Sequence, residues 1–231
     1  MFIVGLTGGL ATGKSTVLSI FRENGIAVID ADDITKKVLE PGTIAWKEVK
    51  EYFGDEVISP DGKVNRTVLG TIVFNNKEKR MKLNAITHPR IHSAMMKMAF
   101  RYFLLGHRYL VLEVPLLFET GIMLRFMHKI ITVACENHQQ LERLCKRNGF
   151  SVVVAKQRIK CQMPLDKKVD KSDFVIYNSG DISSTREQTE GIITVLKQSK
   201  FTWNFRAVLF IILLSILFGI VSITLNFIQN K

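Results

Sequence analysis

The sequence predicts an α/β fold, with a parallel β-sheet covered by helices on both faces, followed by a C-terminal transmembrane helix. Three observations support this. Five short apolar runs rich in β-branched residues alternate with helical stretches, a glycine-rich loop closes the first run, and 22 uncharged residues stand near the end. Strands buried on both faces read as nearly continuous apolar runs, the mark of a parallel sheet. The chain has 231 residues, a formal charge of +11 and a mean hydropathy of +0.14. A chain this basic ordinarily scores below zero, so apolar residues must be concentrated somewhere. With 23% charged residues and 15 Phe, disorder and low complexity are excluded. The length fits one domain plus an appendage.

The first run, residues 2–6, leads into Gly8, Gly9, Leu10, Ala11, Thr12, Gly13, Lys14 and Ser15, a complete G-x-x-x-x-G-K-[ST] loop. A helix then opens at Thr16 and continues through Val17, Ile20 and Phe21. The glycines let backbone N–H groups turn toward phosphate oxygens, and the helix N-terminus adds partial positive charge. In such a loop Lys14 would reach the β and γ phosphates and Ser15 would hold Mg²⁺. No [NT]KxD tetrapeptide for reading guanine occurs, so ATP is favoured over GTP.

The second run, residues 26–29, ends in Asp30-Ala31-Asp32-Asp33. Open α/β sheets bind ligands at this edge. A carboxylate there can accept the proton of an attacking hydroxyl, and Asp32 is the candidate. Asp30 and Asp33 fit a helix N-cap at least as well.

Residues 31–106 form a long, mainly helical insertion, punctuated by Phe53-Gly54 and Pro60-Asp61-Gly62, with a helix restarting at His88-Pro89. Its Met95, Met96, Met98, Ala99, Phe100 and Phe103 read as core. The third and fourth runs, residues 109–114 and 129–134, frame Pro115, Leu116, Leu117 and Glu119. Arg143 and Arg147 share a helix face, which suits either two contacts to one polyphosphate or a solvated basic face. Arg158 and Gln162 repeat that spacing. The fifth run, residues 174–177, precedes Asn178-Ser179-Gly180. Cys135, Cys145 and Cys161 are odd in number and without a C-x-x-C, so neither a disulfide framework nor a zinc site is indicated.

Residues 207–228 carry no charge and are long enough to cross a bilayer. Trp203 and Arg206 precede them as interface anchors, and the basic flank predicts a body facing the cytosol, on the endoplasmic reticulum or the outer mitochondrial membrane. The N-terminus shows no signal-peptide or transit-peptide pattern. Without the last 31 residues the body keeps a charge of +9, from 30 basic and 21 acidic residues, which suits an anionic partner. No nucleic-acid module accompanies that charge, and no nucleic acid is expected as partner.

LTGGLATGKS, VIDADD, NAITHPRI, VPLLFE, RLCKRNGF, QRIKCQMP and YNSG stand in the order and spacing of the dephospho-CoA kinases, which the chain resembles over residues 1 to about 198. The apolar tail is similar to that of the family's eukaryotic domain-containing members. The resemblance implies ATP- and Mg²⁺-dependent phosphorylation of the 3′-hydroxyl of dephospho-CoA's ribose. It also implies the P-loop NTPase fold of the nucleoside monophosphate kinases, a three-layer α/β/α arrangement with a five-stranded parallel sheet. Residues 1–200 would be the kinase domain, 31–106 its substrate-binding insertion and 144–164 its lid. Asp32 would be the base, Lys14 and Arg147 the other catalytic groups, and Ser15 the metal ligand. Gly8 to Thr16, Arg143 and Asn178 would hold ATP. His88, Pro89, Pro115, Leu116 and Glu119 would meet the acceptor. Dephospho-CoA and ATP are the implied ligands, with the bilayer and other CoA-pathway enzymes as further partners. Three departures stand out: Thr35-Lys36-Lys37 where many members carry Ala-Arg, Glu113 where Asp or an apolar residue can occur, and an apolar lid at 149–154. The alternatives are a P-loop kinase for another nucleoside or nucleotide acceptor, and a non-catalytic nucleotide-binding scaffold at a membrane.

Overall fold

The computed structural model describes residues 1–199 and Ser215. At its centre lies a five-stranded sheet in the order β2-β3-β1-β4-β5. The strands are β1 (Phe2–Gly8), β2 (Ala27–Asp30), β3 (Tyr109–Glu113), β4 (Lys129–Ala134) and β5 (Phe174–Tyr177), and every pairing is parallel. All five expected runs are strands, with ends shifted by a residue or two.

Successive side chains leave a strand on opposite faces, so a doubly covered strand must be apolar at every position. On one face Val4, Leu6, Tyr109, Val111, Ile131, Val133 and Ile176 pack against α1 (Lys14–Glu23) and the helix Ile182–Gln198. On the other, Ala27, Ile29, Leu110 and Leu112 meet Ile34 of α2 (Ala31–Val38) and Met95 and Ala99 of a long helix, Lys77–Leu104. Each fully buried Leu or Ile contributes about 1.5–3 kcal/mol. The α/β/α layers are therefore those expected.

The insertion comprises α2, α3 (Ile44–Phe53), α4 (Arg66–Asn75) and the long helix, α5 (Lys77–Leu104). It has its own core of Val49, Phe53, Val57, Leu69 and Ile86. Thus α5 serves both bodies, lending Ile86 to the bundle and Met95 and Ala99 to the sheet. The helix does not restart at His88-Pro89 but runs through Pro89. Proline has no N–H to donate, a local cost that packing along both halves of α5 outweighs. Met96 and Phe100, expected in the core, lie on its exposed side.

The transmembrane helix and the location derived from it are not supported. Among the described residues no helix is long and apolar enough to cross a membrane. The longest, α5, carries charges from Lys77 to Arg101. Residues 207–228 lie outside the described residues except for Ser215. The bilayer as partner, and the cytosol-facing anchorage to the endoplasmic reticulum or outer mitochondrial membrane, therefore have no basis in the described fold.

Candidate active site

The parallel register brings the chemistry to one edge. Leu6 and Asp30 both pair with Glu113, so β1 delivers the phosphate loop between the C-terminal ends of its neighbours. A cleft of about 710 Å³ opens there. It is lined by Leu10, Ala11, Gly13, Lys14 and Ser15 of the loop, and by Asp30, Asp32 and Lys36 from β2 and α2. Glu113, Pro115 and Leu116 follow from the end of β3, and Arg143, Lys146, Arg147 and Gln162 complete it.

The loop is held from several sides. Gly13 has φ 93°, and a Cβ there would collide with the Asn178 amide. That amide donates from Nδ2 to the Thr12 carbonyl at 2.9 Å, while its Oδ1 accepts from Thr185 Oγ1 at 2.9 Å. Gln140 Nε2 donates to the Leu10 carbonyl at 2.9 Å, and the Leu10 N–H donates to Gln162 Oε1 at 3.0 Å. Asn178 is thus a buried clasp beneath the loop, with both ends of its amide used. Arg143 donates from Nη1 to the Asn178 carbonyl at 2.9 Å, which steers its guanidinium along the cleft wall.

Lys14 Nζ donates to the Gly9 carbonyl at 2.9 Å. Burial pulls its pKa below the usual lysine value, opposed by Glu113 and Asp32 and reinforced by Lys168 and Arg147. Glu113 is pushed up to about 7, chiefly by burial, with Lys14 opposing. It is a buried carboxyl half protonated near neutrality.

The three aspartates separate. Asp30 caps α2, accepting from the Asp32 and Asp33 N–H groups at 2.8 and 3.1 Å. Asp33 pairs with Lys36 at 2.6 Å on the exposed side. Asp30 and Asp32 both line the cleft, but an Asp30 oxygen is taken up by the cap, which leaves Asp32 as the candidate base.

Of the residues expected to meet the acceptor, His88, Pro89 and Glu119 stand apart from the cleft lining, and so does Arg158. His88 and Pro89 lie within α5, where His88 neighbours His92 at 5.9 Å and burial, with His92, lowers its pKa. Glu119, on α6 (Leu117–Thr120), pairs with Lys168 at 2.8 Å. Arg158, on the helix Val152–Lys160, stacks over Phe150 at 4.5 Å. Sequence reasoning passed over Lys146, Lys168 and Gln140. A glutamine or lysine in a helical stretch gives no signal until the fold shows what it touches.

A family model for dephospho-CoA kinase matches residues 2–184. The chain belongs to the dephospho-CoA kinase family. It is 48% identical over 188 residues to a dephospho-CoA kinase domain-containing protein of Danio rerio, covering 81% of this chain and 82% of that protein. It is 46% identical over 191 residues to a dephospho-CoA kinase of Bacillus cereus, covering 83% of this chain and 95% of the relative. Among solved structures, a dephospho-CoA kinase from Campylobacter jejuni superposes with a TM-score of 0.63 at 28% identity, covering 83% of this chain and 95% of that one.

Proposed function

We propose that this cleft moves the γ-phosphoryl group of ATP onto the 3′-hydroxyl of dephospho-CoA's ribose, with Asp32 as base. The reaction class follows from family membership: the protein is an ATP-dependent dephospho-CoA kinase. The observation that carries the division of roles is that Lys14, Asp32, Arg143 and Arg147 line one cleft.

In this reading Lys14 exchanges the Gly9 carbonyl for phosphate oxygens, while backbone N–H groups of the loop cradle the β-phosphate. Asp32 accepts the hydroxyl proton as the acceptor oxygen attacks phosphorus and the bond to the leaving ADP oxygen breaks. Arg143, Lys146 and Arg147 neutralise the charge that develops, an effect that strengthens as water leaves. Pro115 and Leu116 form the acceptor's wall. Residues 31–106 serve as the acceptor-binding unit and 144–164 as the lid of a kinase domain spanning 1–200; the separate core of the insertion supports the first assignment, and the reach of Arg147 and Gln162 into the cleft supports the second.

Magnesium fits the donor set. Ser15 and Glu113 present hard oxygen atoms to the same cleft, with Asp32 reserved for the acceptor proton. Among the described residues no cluster of three or more His, Cys, Asp or Glu forms a ready-made metal site. Mg²⁺ suits such a place, since it binds through one or two carboxylates together with substrate phosphates and water. When bound, it supplies charge neutralisation on those phosphates.

The test is formation of coenzyme A by the purified full chain with ATP and a panel of acceptors: dephospho-CoA, AMP and adenosine. A preference for dephospho-CoA, with the new phosphate on the 3′ position, is expected. Transfer to another acceptor at a higher kcat/KM would contradict the reading.

A further inference from the structure

Lys168 lies in α9 (Leu165–Asp170; α7 being Asn137–Asn148 and α8 Val152–Lys160) and is wholly buried, at 0% exposure. A lysine almost never reaches that state unless it is paired, because removing its charge from water is costly. Its Nζ donates to the Pro115 carbonyl at 3.0 Å and pairs with Glu119 Oε1 at 2.8 Å. The same Glu119 oxygen accepts the Met163 N–H at 3.0 Å. Burial alone would raise the Glu119 carboxyl, but Lys168 and the Met163 N–H hold it below the usual range.

These bonds join three parts of the cleft. Pro115 and Leu116 form one wall, and the Pro115 carbonyl is also bound by Thr7 Oγ1 at 3.1 Å, from the last turn of β1 before the loop. Met163 follows Gln162, whose side chain accepts the Leu10 N–H of the phosphate loop. The 114–117 turn is tied by the Val114 N–H to the Leu6 carbonyl and by the Leu117 N–H to the Val114 carbonyl, and the Pro115 carbonyl is its further handle, since proline itself has no N–H to offer. Lys168 grips that handle from below and, through Glu119, ties it to the end of the segment that carries Gln162. Lys168 does not itself line the cleft; it reaches the lining through the Pro115 carbonyl and acts on Lys14 by its charge.

We infer that Lys168 is a positioning residue of the kinase: with Glu119 it forms a buried strut that sets the Pro115–Leu116 wall against the Gln162–Met163 segment, and so fixes where the acceptor sits. The inference rests on the proposed assignment of Pro115 and Leu116 to the acceptor. It recasts Glu119 as a partner of this strut, remote from the acceptor itself.

The strut can be separated from stability, because breaking a buried ion pair at one end is destabilising whereas replacing both ends by apolar groups of similar size is often neutral. Lys168→Met alone is expected to lower both Tm and activity. The double variant Lys168→Met with Glu119→Leu is expected to regain most of the Tm. Its KM for dephospho-CoA should stay about tenfold above wild type, and the rise in its KM for ATP should be several-fold smaller, because Lys168 reaches the phosphate site only through its charge on Lys14 and through the Gln162 segment. Recovery of the dephospho-CoA KM together with Tm would overturn the inference, as would equal rises in both KM values. Glu119→Gln supplies a milder test that keeps an oxygen for Lys168 and Met163. A rise of about threefold or more in the dephospho-CoA KM alone supports the strut, and unchanged kinetics contradict it. Amide exchange needs no turnover and is independent of the acceptor's identity. In Glu119→Gln it should quicken at Leu117 and Met163 together, and quickening at neither or at only one of them would count against the strut.

Discussion

The two sides of the cleft are held in different ways. The phosphate loop is clasped by Asn178 from beneath and by Gln140 and Gln162 at Leu10, and all of these bonds are 3.0 Å or shorter. By contrast α8, just before Gln162 in the chain, turns Val152 and Val153 to solvent and anchors through Ala155. Buried, fully bonded groups hold one geometry, whereas elements with few buried apolar contacts open most easily. A phosphate site is most effective when its donors are already oriented, and a closing element must be free to travel. The difference fits preorganisation at the loop and, in the proposed reading of 144–164 as a lid, movement in α8, while α7 with Arg143 and Arg147 is anchored by buried Gln140 and Leu144.

Substitutions on the two sides should therefore fail differently. Lys14→Ala is expected to lower kcat by about 10³-fold or more while Tm stays close to wild type, because the lysine's bond to Gly9 lies within the loop. A Tm loss in parallel would mean that the lysine is structural. Gly13→Ala should act through the fold, since the new Cβ meets Asn178 at φ 93°. A cost of about 2–4 kcal/mol in denaturant titration, with ATP binding lost, is expected. Arg147→Ala on the opposite side should reduce kcat by about 10²-fold with little change in Tm. An unaltered kcat would remove it from the closing side.

Glu113, at the end of β3 between Leu6 and Asp30, makes a pH prediction. The unfolded carboxyl loses its proton near 4.5 and the folded one near 7. Between these values the folded state binds more protons, so this group makes stability fall as pH rises from about 4.5 to about 7. Glu113→Gln lacks that titration. Its Tm should gain on wild type across this window and hold the gain above it, and parallel Tm curves would contradict the assignment. The smallest effect is expected at His88, which stands off the cleft lining. His88→Ala should change the dephospho-CoA KM by less than about threefold, and a larger change would place His88 itself at the acceptor.

Much of this was legible in the sequence, for identifiable reasons. The strands announced themselves because burial on both faces leaves no room for polar residues, as Leu110 to Leu112 show. The loop was legible because its residue types are dictated by the phosphate geometry. Asp32 could be separated from Asp30 and Asp33 only in part, since an N-cap and a catalytic carboxylate ask for the same residue at the same strand end. Pro89 misled because proline usually ends helices, and here two cores hold α5 straight through it. The Glu119–Lys168 pair joins residues far apart in sequence, so nothing local marks it. The uncharged run at 207–228 reads as a span from its length, hydropathy and flanks, but it lies outside the described residues except for Ser215 and no described helix supports a span.

The central claim, that Asp32 activates the acceptor hydroxyl at a preformed ATP site, is tested most directly by Asp32→Asn. Its rate of coenzyme A formation and its ATP affinity should be measured on the same preparation. A rate about 10²-fold or more below wild type with unchanged ATP affinity is predicted. A wild-type rate, or a loss explained entirely by weaker ATP binding, would contradict it.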